Sequence, residues 1–127
     1  MPPPPLIWPT VAGGLAGAAG ITLSTVAAHI DFSYLVSTAA AIALAHAPLL
    51  ILLSLPGIRR VLRRPALPAQ PITLGLILFC GDLTACAFLD FSFFKNAAPT
   101  GGTLLILDWL LVALPALPNL FSRNDAA

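Results

Sequence analysis

The chain has 127 residues, enough for one domain, of which 58% are apolar and only 9% are charged. A water-soluble globular domain carries about 25% charged residues, so this composition excludes a soluble protein and indicates that lipid surrounds most of the surface. The net charge is +1, and the arginines form one small cluster rather than a basic face, so we expect no nucleic-acid partner.

Four apolar runs follow one another along the chain, each close to the length of about 20 residues that a transmembrane helix needs. A proline-rich start at 1–5 precedes the first run, and its prolines exclude a helix there. The connections at 29–33 and 95–102 are short, which makes successive helices antiparallel neighbours. We therefore predict an all-α membrane protein, one domain with an antiparallel bundle of four transmembrane helices. The runs lie at 6–28, 34–55, 72–94 and 103–121.

Glycines at two places in the chain are candidates for close helix packing. Gly13 and Gly17 form a G-x-x-x-G pattern in the first run, and Gly20 extends it. The pattern suits packing within the bundle and dimerisation equally well. Gly101 and Gly102 precede the fourth run, where we expect a tight turn that lets the helices approach each other.

The placement of the basic residues predicts the orientation in the membrane. Four helices put both termini and the 56–71 connection on one side, while the other side carries only Lys95. Cytoplasmic loops carry an excess of arginine and lysine, so we expect both termini in the cytoplasm of a bacterial inner membrane, or in the matrix of a mitochondrion. An alternative role of the arginines is to bind anionic lipid or an acidic patch of a partner. The predicted topology anchors are Arg59, Arg60, Arg63 and Arg64, with Arg123 on the same side.

Four ionisable residues in or near the apolar runs form a predicted intramembrane polar cluster: His46, Asp82, Asp108 and His29. His46 and Asp82 lie near the middle of their runs and could meet, whereas Asp108 lies about 8 Å inside the fourth run. One interpretation is a proton or ligand site built on His46 and Asp82 and extended through Asp108 and His29. A second interpretation is a hydrogen-bonded contact between the helices that fixes their order. A third is that Asp82 or Asp108 pairs with a polar group of another subunit.

Motifs of enzyme catalysis do not occur in this sequence. There is no G-x-S-x-G, no glycine-rich phosphate loop and no glutamate. His29 and His46 lie about 18 Å apart in depth, whereas two axial ligands of one haem iron lie only about 4 Å apart. We therefore expect no enzymatic activity, no metal and no cofactor.

Short segments in all four runs resemble a known family. The segments are 27–29 (Ala-Ala-His), 46–52 (a histidine before aliphatic residues), 78–82 (Leu-Phe-Cys-Gly-Asp), 99–102 (Pro-Thr-Gly-Gly) and 108–109 (Asp-Trp). In this order and spacing they resemble the small four-helix membrane proteins of domain-of-unknown-function family 423, which includes the mitochondrial transmembrane protein 256 type. The resemblance covers about 6–117 and implies a four-helix membrane fold, but no activity.

Two departures from that family fall on ionisable residues. Asp82 stands where the family has serine, and Asp108 stands where it has glycine. A pairing that is specific to this protein is therefore expected at these positions.

The leading functional hypothesis is a non-catalytic accessory subunit that packs against a larger membrane complex, such as a respiratory oxidase or dehydrogenase. Scant soluble surface, small-residue helix faces and the lack of catalytic motifs favour it. A subunit associated with a quinone site or a haem is a variant of this hypothesis. The alternative is a small dimeric transporter or channel that uses an intramembrane His/Asp site.

Overall fold

The computed structural model describes residues 4–30 and 34–125, with side chains up to Ser122, and the chain in these ranges is helical without any strand. Residues 1–3 of the proline-rich start, 31–33 of the first connection and the side chain of Arg123 lie outside this description. The helices are α1 (Trp8–His29), α2 (Tyr34–Ser54), α3 (Ala66–Leu89), α4 (Ala97–Ala113) and α5 (Leu117–Asp125), with 3-10 turns at Pro56–Arg60 and Leu114–Ala116.

Four of these segments are long and apolar enough to cross a membrane: α1, α2, α3 and the nearly continuous stretch Ala97–Ser122. The predicted all-α fold with four membrane-spanning helices is thereby confirmed.

The third helix begins and ends earlier than its apolar run predicts. It starts at Ala66 rather than at 72. Pro65 and Pro68 lie at its start, where a backbone N–H has no helical partner and proline is tolerated, and the helix continues through Pro71 in its interior. It ends at Leu89 rather than at 94, because Asp90 adopts a left-handed backbone with φ 52°. The Phe91 N–H then donates to the Ala85 carbonyl, which closes the end of the helix.

The fourth helix also begins earlier, at Ala97 rather than at 103. Asn96 has a left-handed backbone with φ 95°, and its carbonyl accepts the first helical bond from the Thr100 N–H. Gly101 and Gly102 consequently lie inside α4, so the tight turn expected at these glycines is wrong. Their role depends on what they contact.

The helices pack in chain order, α1 against α2, α2 against α3 and α3 against α4, so that α2 and α3 form the centre of the bundle. Gly13 and Gly20 fix the contact of α1 with α2. A methyl group at Gly13 would lie 2.8 Å from the Ala47 carbonyl oxygen, and one at Gly20 would lie 2.7 Å from Cγ of Leu44. At Gly17 a methyl group would make an ordinary contact of 3.6 Å.

A second close approach joins α3 to α4. A methyl group at Gly101 would lie 2.5 Å from the Phe79 nitrogen and 2.8 Å from the Gly75 carbonyl oxygen. Gly102 instead faces the ring of Phe79, where a methyl group would lie at 3.5 Å. The close contact of α3 with α4 therefore requires a glycine at position 101, whereas position 102 has room for a larger residue.

The antiparallel packing brings the N-terminal segment, the 55–65 connection and the C-terminal helix to one end, which we call the arginine end. There the Arg59 guanidinium donates to the Pro4 carbonyl at 3.0 Å, and the Thr10 hydroxyl donates to Ser54 at 2.6 Å. The opposite end contains the last turn of α1 and the 90–96 connection.

Candidate functional site

His46 occupies the middle of α2, about 18 Å along the helix from Tyr34, and only 5% of it is exposed. Its Nδ1–H donates to the Ile42 carbonyl at 2.8 Å, and its Nε2 accepts the indole N–H of Trp109 at 3.0 Å. Because an indole nitrogen can only donate, Nε2 carries no proton. In this arrangement the ring proton lies on Nδ1.

Trp109 connects two helices that otherwise contact each other little. Its indole meets the His46 ring edge to face, with centroids 5.8 Å apart and an angle of 65° between the planes. The rest of the tryptophan remains on the outer surface of α4. Its hydrogen bond to His46 is thus a direct link between α2 and α4 within the membrane span.

Asp108 lies beside this pair and is completely buried. Since α4 begins at Ala97, the carboxyl group lies about 16 Å along the helix, twice the depth that the apolar run predicts. Neither of its oxygens has a hydrogen bond of standard geometry among the described residues, although the backbone N–H groups of Asp108 and Trp109 and the ring of His46 are near enough to interact with the carboxyl group electrostatically. A carboxylate buried at this depth without a salt bridge would be costly.

Asp82 has different surroundings. Its Oδ1 accepts hydrogen bonds from the Ser92 hydroxyl and from the Phe93 N–H, both at 2.8 Å. These bonds hold the 90–96 connection against α3, at the opposite end. The expected pairing of His46 with Asp82 does not form, because His46 bonds to Ile42 and Trp109 instead.

His29 does not join the cluster either. It is the last residue of α1 and is exposed at the opposite end. Of the four predicted residues, the structure thus brings together His46 and Asp108.

Trp109 is the functional residue that the sequence analysis missed. A tryptophan in the middle of a span carries an N–H that needs an acceptor, and His46 is an imidazole acceptor at matching depth. That signal was present in the sequence. Ser92 and Phe93 had no comparable signal, because their bonds to Asp82 depend on how the connection folds back.

A second candidate site is an apolar groove between α1 and α3, with a volume of about 840 Å³. Ala43 and Leu50 of α2 form its floor. Small residues line much of its walls, namely Ala12, Ala16 and Ala19 on α1 and Gly81 and Ala85 on α3. We call this feature the α1–α3 groove.

The threonines in the α1–α3 groove do not make it polar. Thr22, Thr73 and Thr84 each donate their hydroxyl to the carbonyl four residues earlier in the same helix, at 2.9, 2.9 and 2.6 Å. With these donors satisfied, the groove presents a surface suited to an apolar occupant.

A family model described as a protein of unknown function (DUF423) matches residues 15–102, more than half of the chain. The chain belongs to the DUF423 family. This confirms the resemblance noted in the sequence. No solved structure matches the chain. The DUF423 match includes most of the α1–α3 groove and His46, but it ends before Asp108 and Trp109.

Proposed function

We propose that this DUF423 protein is a non-catalytic accessory subunit of a larger membrane complex and that the α1–α3 groove receives a transmembrane helix of that complex. The groove is the observation that supports the proposal. In α1, only Pro9, Gly13 and Gly20 are buried, so most of this helix is available for another contact. That the complex is a respiratory oxidase or dehydrogenase stays a prediction.

The dimensions of the groove favour a helix over a lipid chain. Its walls extend along 12–23 of α1 and 73–89 of α3, about 16 Å and 24 Å at 1.5 Å per residue. Both stretches include the middle of their helix, whereas one leaflet of hydrocarbon is only about 15 Å thick. A transmembrane helix crosses the midplane, and an acyl chain anchored in one leaflet does not.

The small residues of the groove favour the same occupant. Ala12, Ala16 and Ala19 recur at the spacing of one helix face. Small residues at this spacing let the backbone of a neighbouring helix approach closely, which is the main source of helix association in lipid.

A pair of adjacent alanines tests the proposal. Ala19 lines the groove, whereas Ala18 is exposed outside it. Tagged protein is extracted from its native membrane in mild detergent and weighed by native mass spectrometry. We expect wild type and A18L in a larger assembly at fixed stoichiometry, and A19L as a folded monomer. A wild-type monomer, or an assembly that survives A19L unchanged, would refute the proposal.

We propose that the protein lies in a bacterial inner membrane. We infer that both termini face the cytoplasm, because four arginines lie at the arginine end and Lys95 lies at the opposite end. In spheroplasts, an impermeant amine reagent should modify Lys95, and an arginine-specific protease should leave the chain intact. In inverted vesicles the protease should cleave in the 55–65 connection. The reverse pattern of labelling and cleavage would show that the protein has the opposite orientation.

A second function is a small dimeric transporter or channel, favoured by the buried Asp108 beside His46. The side chain of Asp108 is completely buried in the span, and no side chain among the described residues donates a hydrogen bond to it. In proteoliposomes, D108N should abolish proton-coupled flux, while D82N should retain it. Equal flux in wild type and D108N would exclude this function, and the accessory role would be unaffected.

A further inference from the structure

Two cavities lie side by side at the arginine end and share Arg63, Arg64 and Leu67 in their lining. The first, which we call the α4-side cavity, has a volume of about 590 Å³. It is bounded on the other side by Leu111 and Pro115, near the end of α4. The shared arginines therefore face a space between α3 and α4.

The second, the N-terminal cavity, lies on the other side of the shared residues and has a volume of about 310 Å³. Arg59 and Leu6 contribute to its lining. Arg59 is held in place by its hydrogen bond to the Pro4 carbonyl. Arg60 belongs to the same connection but lines neither cavity.

The charge of both cavities is positive and is not offset by their own walls. Among the residues whose side chains the structure describes, no acidic residue lines either cavity, and the sequence has no Asp or Glu anywhere in 32–81. The carbonyl partner of Arg59 is neutral, so that bond leaves its charge uncompensated. A guanidinium is charged at any physiological pH and can donate two parallel hydrogen bonds to a phosphate.

We propose that these cavities bind one anionic phospholipid that has two phosphates, with one phosphate in each cavity and the Arg63–Arg64 pair between them. Leu67 and Leu111 are partly exposed at the membrane ends of α3 and α4, next to the arginines. The acyl chains of a bound lipid can continue along these leucine side chains into the bilayer. A free anion has no acyl chain and gains nothing from this apolar surface. Two cavities that share two arginines match two phosphates in one headgroup.

The test measures lipid binding to the intact chain in detergent by native mass spectrometry. The probes are diphosphatidylglycerol with two phosphates, phosphatidylglycerol with one, zwitterionic phosphatidylcholine and inorganic pyrophosphate. We expect diphosphatidylglycerol to bind more tightly than each of the others. In the double variant R63Q/R64Q its binding should weaken about tenfold or more, because charge-assisted hydrogen bonds are lost. In R60Q, which removes a charge of the same connection, binding should match wild type.

Two further comparisons decide between the alternatives. R59Q removes an arginine from the N-terminal cavity alone, so the preference for two phosphates over one should disappear. All three variants change exposed or partly exposed side chains, and circular dichroism checks that they remain helical. If R60Q weakens lipid binding as much as R63Q/R64Q does, the lipid responds to the general positive charge of the surface, and the proposed binding site is wrong. If pyrophosphate binds as tightly as diphosphatidylglycerol, the cavities recognise free phosphate groups rather than a lipid, and the proposal of a lipid ligand is overturned.

Discussion

Asp82 and Asp108 are both buried carboxyl groups, yet their surroundings give them different roles. Asp82 accepts two hydrogen bonds from the 90–96 connection and so fixes local structure. Asp108 receives no hydrogen bond from a side chain in the described ranges and lies beside His46. The sequence does not distinguish the two residues, because both lie in apolar runs. The difference depends on which segment of the chain folds back onto each side chain.

The hydrogen bond of Trp109 should stabilise the bundle measurably. W109F removes the indole N–H and leaves Nε2 of His46 without its donor, so the free energy of unfolding should fall by about 1–3 kcal/mol. W8F changes the other tryptophan, which lies at the start of α1, and should have little effect. Reversible unfolding in mixed micelles measures both variants. Equal stability of W109F and W8F would show that the bond contributes nothing.

Asp82 should control access to the 90–96 connection, and Lys95 provides the means to measure it. Lys95 is the one lysine in the chain, so a lysine-specific protease reports on this connection alone. D82A removes the acceptor of both hydrogen bonds, and cleavage should accelerate about tenfold or more. D82N keeps Oδ1 as an acceptor and should be cleaved about as slowly as wild type. Rapid cleavage of D82N would mean that the charge, rather than the acceptor geometry, holds the connection.

At the scale of the helices, stability depends on a few glycines at which backbones nearly touch. The apolar runs predicted four spans correctly, because composition and length are sufficient for that. They misplaced the start of α3 and α4, because Pro68 and Pro99 lie in first turns, where proline does not break a helix, and because α3 continues through Pro71. The earlier start of α4 moves Asp108 to the depth of His46. That pairing could not be predicted from spacing, since it depends on the register between α4 and its neighbours.

Adjacent glycines in α4 test this packing. G101A places a methyl group 2.5 Å from the Phe79 nitrogen, a backbone atom that cannot move without shifting α3. The free energy of unfolding should fall by about 1–3 kcal/mol. G102A makes an ordinary contact and should be neutral or gain up to about 1 kcal/mol from the better helix propensity of alanine. If G102A destabilises the bundle as much as G101A, the α3–α4 crossing is not limited by Gly101.

The same comparison is available in α1. G13A meets the Ala47 carbonyl oxygen at 2.8 Å, whereas nothing lies within 4 Å of a methyl group at Gly14. We expect G13A to lower the free energy of unfolding and G14A to leave it unchanged or raised. The melting temperature in micelles orders the two variants. A lower melting temperature for G14A than for G13A would contradict the α1–α2 contact.

At the scale of the whole molecule, the bundle is open on one side. Helices α2 and α3 each pack against two neighbours, while α1 rests mainly on α2 and leaves the α1–α3 groove facing the bilayer. The open groove, the positive cavities at the arginine end and the Asp108 site occupy different parts of the molecule. Variants of one should therefore leave the other two intact.

Photo-crosslinking from inside the groove tests the accessory role most directly. A photoreactive phenylalanine derivative is placed at Ala19 and, as a matched control, at Ala18, and the protein is irradiated in its native membrane. We predict that position 19, and not position 18, forms an adduct with a transmembrane segment of the protein that native mass spectrometry finds at fixed stoichiometry. Adducts of position 19 with lipid alone, or with a second copy of this chain, would contradict the account.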